Sequence, residues 1–446
     1  MNQKQDVIVV GGGIAGLAAA ALLANGGKTV LLLEQSGSPG GRAKTRVRDG
    51  FHFNLGAHAL YRGGPAQSVL SELGVSYTGS APPLSGQMAL MNGSLHTFPS
   101  ATLSLLTTDL FGLPSKLETA RLLGSVSKIR TDDILDTPLA EWVESRATHS
   151  DVRNLLLSVC RLTTYANSPE RISAGCAIKQ LQMALSNGVL YLDGGWQTLV
   201  EGLRQAAERE GVVIRTGARV DSIERNRAGG AIGVRLATGD VVRADSVLIA
   251  ASPSVASALL GSGVAGNTKW DAAIPVRAAS MDVALKNLPR PRNLFVLGID
   301  KPLYFSVHSA SARLAPAGAA LAHMIWYLAE DEAARPDTIK AEFEQLLDKA
   351  QPGWRDLVIH SEFLPELIVA NALPEARTHG IMGWPGPAVA QVPGLFLAGD
   401  WVGGGGVLAD AALGSARQAA RLIAGRPTVS ADVIPAMTAD VTAAVG

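Results

Sequence analysis

A chain of 446 residues is too long for one ordinary hydrophobic core, and it predicts two intimately linked domains. Its 39 Lys and Arg balance its 39 Asp and Glu, which argues against nucleic acid as a main partner. The 47% hydrophobic content with 5% aromatic residues suits a tightly packed α/β protein. The two cysteines, Cys160 and Cys176, form no CxxC and no histidine stands at metal-ligand spacing; they read as buried thiols in a reducing compartment, with no metal expected.

The first elements carry the strongest signal. Asp6-Val-Ile-Val-Val is an apolar strand that runs into Gly11-Gly-Gly13-Ile14-Ala15-Gly16; an Ala/Leu helix follows, and Val30-Leu-Leu-Leu is a second strand ending on Glu34-Gln35. This is a βαβ dinucleotide fingerprint. Gly11 permits the tight turn, Gly13 lets the backbone approach a pyrophosphate, and Gly16 lets helix and strand pack closely. The helix N-terminus offers free N–H groups to phosphate, and Glu34 is placed to accept hydrogen bonds from ribose hydroxyls. Lys4 and the apolar stretch Val7 to Leu23 imitate a secretory leader, but the fingerprint lies inside that stretch. Gly27-Lys28-Thr29 imitates a phosphate loop and is read as the helix-to-strand turn. A second glycine turn, Gly40-Gly41-Arg42, follows at once; a long cofactor needs it, and Arg42 can neutralise phosphate charge.

Further along, residues 115–186 are mostly helical by pattern, with turns at Leu113-Pro114 and Ser168-Pro169. After Asp193-Gly-Gly195-Trp196, a helix on Leu199, Val200, Leu203, Ala206 and Ala207 stops at Gly211. Short strands are expected at 212–215, 220–224, 232–236 and 241–244, the last two joined by a hairpin at Thr238-Gly239-Asp240. Residues 246–250 are expected to return separately to a parallel sheet. Gly261-Ser-Gly263-Val-Ala-Gly266 repeats the glycine spacing without a following helix and is set aside. Strands at 276–285, 293–296 and 319–327, a helix at 339–350 and a strand near 358–363 complete this part. No apolar run elsewhere reaches transmembrane length, so the chain reads as cytoplasmic, with peripheral membrane contact left open.

Near the other end stands Gly394-Leu-Phe-Leu-Ala-Gly399-Asp400-Trp401, then Gly403 to Gly406 and Val407-Leu408-Ala-Asp410-Ala-Ala-Leu-Gly414-Ser415. With the fingerprint and Gly41-Arg42, this pattern resembles the flavin amine oxidase and phytoene desaturase superfamily. The resemblance implies a Rossmann-like, GR2-type FAD-binding domain interleaved with an α+β substrate domain. It places the FAD-binding pieces at 1–75, 193–260 and 385–426, the substrate pieces at 76–192 and 261–384, and a C-terminal tail at 427–446. It implies that Asp400 meets the polar chain of FAD, that the helix N-terminus at Val407 and Leu408 faces the flavin, and that backbone at Val220 meets adenine. The segment with Gly56, Ala57 and His58 then passes beside the flavin ring, making His58, Tyr61 and Arg62 the candidate polar groups there. Tyr165, His308, His323 and Trp401 are weighed and read as structural. Neither cysteine lies in the C-terminal motif, so noncovalent FAD is expected.

The expected activity is dehydrogenation of a largely apolar small molecule by hydride loss to flavin N5, with O2 or another acceptor reoxidising the flavin. The pocket is expected from residues 115–190 and 272–330, with the apolar stretches Leu155–Leu162 and Ile178–Leu185 prominent. Carotenoid desaturases usually carry an acid-Gly-Pro turn where this chain has Asn54-Leu-Gly-Ala, and His-Pro-Gly where it has Trp401-Val-Gly-Gly. Amine oxidases normally bring an aromatic pair before the last motif, where only Trp384 stands. Amine oxidation, protoporphyrinogen oxidation and a non-catalytic FAD-binding assembly role therefore remain alternatives.

Overall fold

The computed structural model describes residues 4–56, 58–83, 85–261 and 270–425. Ala57, residues 262–266 of the decoy glycine run and the tail 427–446 lie outside the described residues.

The apolar runs Val7–Val10 and Val30–Leu33 are buried, as strands covered on both faces must be. They sit at the middle of a parallel sheet ordered Val213–Arg215, Val30–Leu33, Gln5–Val10, Val241–Ile249, with Leu395–Leu397 added beside the last. Ala231–Leu236 and Val220–Arg225 extend it as an antiparallel meander. The helix Ile14–Asn25 is apolar on nearly every side because it is enclosed by the helices Gln197–Arg209 and Leu408–Ile423. Its approach to the sheet is very close: a Cβ on Gly16 would lie 1.9 Å from the Gly11 carbonyl oxygen. Gly11 itself has φ +108° and passes so near Ala250 that a Cβ would meet its carbonyl oxygen at 2.5 Å.

A second, mixed sheet is ordered Val358–Ala370, Val276–Leu285, Ala320–Leu328, Leu303–Ser306, Phe295–Gly298, Gln87–Met91, Ser94–Thr97. The helix Pro336–Ala350 packs on it through Ile339, Phe343, Leu346 and Leu347. Residues 102–187 supply five helices, of which the last four share a core around Trp142, Leu156, Ile178 and Leu181. Among the described residues no helix is long and apolar enough to cross a membrane.

The fold class agrees with the expectation, and several elements differ. Residues 241–249 form one strand, where two were expected: its first half pairs antiparallel with Ala231–Leu236 and its second lies parallel between Gln5–Val10 and Leu395–Leu397. Asp245 in the middle suggests a break, but its exposed position tolerates charge without interrupting the ladder. Val358–Ala370 runs well past 363, across Pro365, because it is the sheet edge, where a missing N–H leaves no partner unsatisfied. The strands Gln87–Met91, Ser94–Thr97 and Leu303–Ser306 were not foreseen.

The Gly16 contact generates a prediction. Gly16→Ala should cost on the order of 2–3 kcal/mol, because the clash is with backbone that cannot rotate away. Urea denaturation measures it, and an unchanged midpoint would show that helix and strand can separate without loss.

Candidate functional site

The glycine turn makes one end of the site. Gly13 caps the helix Ile14–Asn25 without a side-chain cap, the first turn carries no acid, and nothing lies within 4 Å of where a Gly13 Cβ would be. The helix N-terminus therefore meets open space over a bare backbone, which suits a diphosphate. Glu34 ties this turn to the second strand: Gly12 N–H donates to Oε2 at 2.7 Å, while Ser36 donates to Oε1 from N–H at 2.8 Å and from its hydroxyl at 2.5 Å. Gln35, Ala218 and Val220 continue the wall from there.

The helix Leu408–Ile423 presents a second N-terminus without a side-chain cap. Leu408 enters it at φ +56°, a left-handed conformation that is costly for a leucine and marks a position fixed by its surroundings. In the first turn, Asp410 accepts Ala66 N–H at 2.8 Å, and it presses so close to Gly64 that any side chain there would strike its carboxylate. Burial lifts the Asp410 pKa to about 6 against the opposing effect of that N–H.

Between these ends, Arg42 grips Asp400 in a bidentate pair at 2.8 and 2.9 Å and donates to the Val369 carbonyl at 2.7 Å. Asn371 adds its backbone N–H at 3.1 Å and its side-chain amide at 2.8 Å to the same carboxylate. Burial alone would raise Asp400, but Arg42 and Asn371 outweigh it and hold the carboxylate below its ordinary value. Arg42 and Asp400 were read separately as cofactor groups; the structure joins them to each other.

All of this opens onto one cavity of about 750 Å³. Every expected cofactor residue lines it except Gly16, which packs helix on strand, and Ala57, outside the described residues. That set comprises Gly11, Gly13, Ile14, Ala15, Glu34, Gln35, Gly41, Arg42, Gly56, His58, Val220, Gly399, Asp400, Val407 and Leu408. The far wall is Ala278, Ser280 and Ile325 of the second sheet with Leu364, Leu367 and Ile368 of its edge strand. Residues 115–190 supply only Tyr165, because Leu155, Leu156, Ile178 and Leu181 are spent on the helical core. The edge strand takes the place expected of them.

His58 and Tyr61 both line the cavity, whereas Arg62 is exposed and outside its lining. His58 Nδ1 lies 2.8 Å from the Gly56 carbonyl, so Nδ1 carries the proton and Nε2 keeps its lone pair. Desolvation lowers the His58 pKa, so the ring is neutral at neutral pH. Its ring sits 5.0 Å from Trp196. The Tyr61 hydroxyl donates to Thr163 O at 2.8 Å, and burial pushes its pKa well up. Tyr165 reaches the wall from a left-handed backbone at φ +62°. His308, His323 and Trp401 are buried outside the lining; Trp401 donates to Ala251 O and packs on Trp270. Asp410, Asn371 and Trp196 were missed as site residues; only the position of Asp410 in a helix's first turn signalled it.

The arrangement fits FAD: a bare glycine cradle for the diphosphate, an acid at the end of the second strand for a ribose, and a second helix N-terminus for an electron-rich heterocycle. Fold and site define a flavin-dependent oxidoreductase. The chain belongs to the flavin containing amine oxidoreductase family, whose model matches residues 14–424. FAD is the cofactor that this site fits. A 4,4'-diaponeurosporene oxygenase of Staphylococcus aureus is 24% identical over 54% of this chain and 54% of its own, so the chain matches about half the length of that relative. Two solved structures share the fold. An oxidoreductase from Methanosarcina mazei has TM-score 0.73 at 20% identity, over 92% of this chain and 98% of its own. Cyclohexylamine oxidase from Brevibacterium oxydans has TM-score 0.70 at 19% identity, over 95% and 99%.

The raised Asp410 pKa predicts a pH dependence. The folded apoprotein binds this proton more tightly than the unfolded chain, so stability is lost as pH rises from about 4 through about 6, by roughly 2–3 kcal/mol. Asp410→Asn removes that loss while keeping an acceptor for Ala66 N–H. Urea titrations of the apoproteins should show the variant gaining on the parent across that window; an equal difference at its two ends would mean that Asp410 ionises normally.

Proposed function

We propose that this chain dehydrogenates a largely apolar small molecule against a noncovalently bound FAD, and the carrying observation is the continuity of the cavity. One space runs from the glycine turn to an apolar wall of Ala278, Ile325, Leu364 and Leu367, so cofactor and substrate ends adjoin. In this reading residues 1–75, 193–260 and 385–426 hold FAD, and 261–384, with Tyr165 from 76–192, enclose the substrate. When bound, FAD would supply a two-electron acceptor for such a dehydrogenation. Gly13 and the free N–H groups of the first helix would hold the diphosphate, Glu34 and Gln35 would meet the ribose, and Val220 would flank adenine. The Arg42–Asp400 pair, neutral overall, would then orient the linking chain as a unit.

On the substrate side, the lone pair at His58 Nε2 accepts a hydrogen bond or a proton from the substrate. Tyr61 and Tyr165 exclude water and shape the wall; the Tyr61 proton is already committed to Thr163 O, which makes the ring a surface and not an acid. Ser280 Oγ, buried on this wall without a partner among the described residues, fixes the orientation of a substrate polar group. Such a site takes alkenes or neutral amines more readily than cations.

Denaturation should release FAD intact and leave a colourless precipitate; flavin that stays with the precipitated protein would refute noncovalent binding. Glu34→Gln and Asp400→Asn should each weaken FAD retention by about ten-fold or more, since each loosens a charge-assisted hydrogen bond, worth about 1.5–3 kcal/mol, that shapes the cofactor end of the cavity. Equilibrium dialysis at matched stability reads this, and full occupancy in both would dismiss the geometry.

Anaerobic stopped-flow tests the substrate side with a panel of polyenes, amines and porphyrinogens. His58→Ala should slow flavin bleaching by roughly 10²-fold, whereas Tyr61→Phe should leave the rate within about three-fold, as expected for loss of a wall hydrogen bond alone. The parent rate should hold through neutral pH and fall only below the ordinary imidazole range, because desolvation lowers the His58 pKa. Parent-like bleaching by the His58 variant with every active substrate would remove that residue from the chemistry. No bleaching by any compound would favour an assembly role.

A further inference from the structure

Away from the FAD cavity, the helix Leu113–Val126 is turned inside out over its first two turns. It buries Ser115, Glu118 and Thr119, and it exposes Leu113 and Leu117 at 66% and 65%. The neighbouring helix Thr102–Thr107 exposes Leu103 and Leu106 at 73% and 64% while burying Leu105. The Lys116 ammonium donates to the Leu106 carbonyl at 2.8 Å, holding the two helices, and so the four leucines, in one patch. The core beneath is already complete, made of Leu105, Leu110, Phe111 and Leu155. The four leucines are therefore surplus to folding, and apolar side chains grouped on a surface mark a binding face.

The same helix leads into a second cavity. Leu113, Leu117 and Arg121 follow one another at four-residue spacing, one stripe of the helix. Arg121 then joins Lys128, Arg130 and Arg146 around a cavity of about 640 Å³ floored by Leu122, Ile129 and Leu156. Asp133 is the one acid on its lining, and it faces Arg130 at 3.4 Å. Lys128 and Arg146 form no ion pair among the described residues, and Glu118, the acid 4.0 Å from Arg121, is engaged by Thr148 and His149. Trp142, 4% exposed, lines the cavity, and its indole N–H has no hydrogen-bond partner among the described residues. In a chain of zero net charge this is a concentrated excess of cations, beside an apolar rim, around an unsatisfied donor.

We propose that this face docks the protein on an anionic phospholipid bilayer, with the leucines inserted at the acyl boundary and a lipid phosphate in the Arg121–Arg146 cavity beside Trp142. Leucines that insert, flanked by arginine and lysine, are the composition by which an interfacial helix binds anionic lipid. A protein partner of matching shape would need acids to meet the cations and an apolar groove for the leucines; a bilayer offers both at once. The lipid site lies apart from the FAD cavity and stands whatever substrate that cavity takes.

Sedimentation of the FAD-loaded protein with vesicles tests it, using phosphatidylcholine alone and phosphatidylcholine mixed with phosphatidylglycerol. Binding to the mixed vesicles should exceed binding to the neutral ones by about ten-fold or more and weaken with salt. Leu113→Glu/Leu117→Glu should abolish binding to both, and Arg121→Gln/Lys128→Gln should remove the preference for the anionic lipid. Flavin absorbance and melting temperature should match the parent in both variants, since all four positions are exposed and outside the FAD cavity. Absence of the parent from the mixed-vesicle pellet, or undiminished pelleting of the leucine variant, would overturn the proposal. So would light scattering that finds the parent dimeric and the leucine variant monomeric, which would assign the face to a second copy.

Discussion

Arg42 and Asp400 stand 358 residues apart in the chain, yet their bidentate pair binds the turn after the second strand to the end of the last one. Around the same carboxylate gather Asn371 and, through Arg42, the Val369 carbonyl, so the edge strand of the second sheet is fixed to the first by the same few atoms. Asp400 is 5% exposed; without Arg42 its charge would lie buried and uncompensated, at about 3 kcal/mol. The half-exposed guanidinium tempers that figure, since water reaches its outer edge. The cavity's two walls belong to different sheets, and this pair keeps them facing each other.

Much of this was legible because certain residue types have one backbone reason to be where they are. Gly11 and Gly16 announce a crossing too close for any Cβ, and the distances to Ala250 and to Gly11 show that crossing. The acid at 34 and the Gly399-Asp400 ending are similarly tied to strand ends, where polar side chains reach a crevice. Asn371 carried no such mark: its value comes wholly from lying across from Asp400, a relation no local pattern encodes. The substrate wall misled for a related reason. The apolar helical stretches 155–162 and 178–185 are periodic because they make a core of their own, whereas Leu364, Leu367 and Ile368 sit on an edge strand whose polar neighbours disguise it.

His58 and Tyr61 illustrate a different gap. Sequence placed both beside the flavin, but their hydrogen bonds divide the roles: one ring nitrogen is tied to Gly56 and the other left as an acceptor, while the phenol is tied to Thr163. Tyr165 and Leu408, both non-glycine residues in left-handed backbone, border the same space. Strain of this kind persists where the surroundings over-determine a position.

The strand Val241–Ile249 has one further consequence, for how the chain is made. Its second half is flanked on one side by residues 5–10 and on the other by residues 395–397. During synthesis the first partner is waiting and the second has not been translated, so a nascent chain on the ribosome carries Val247–Ile249 as an open apolar edge. Asp400 and the helix Leu408–Ile423 emerge later still. The glycine turn thus forms before the groups that face it across the cavity. A chain stalled before Leu395 would leave that edge open and adhesive, a natural substrate for chaperones and proteases.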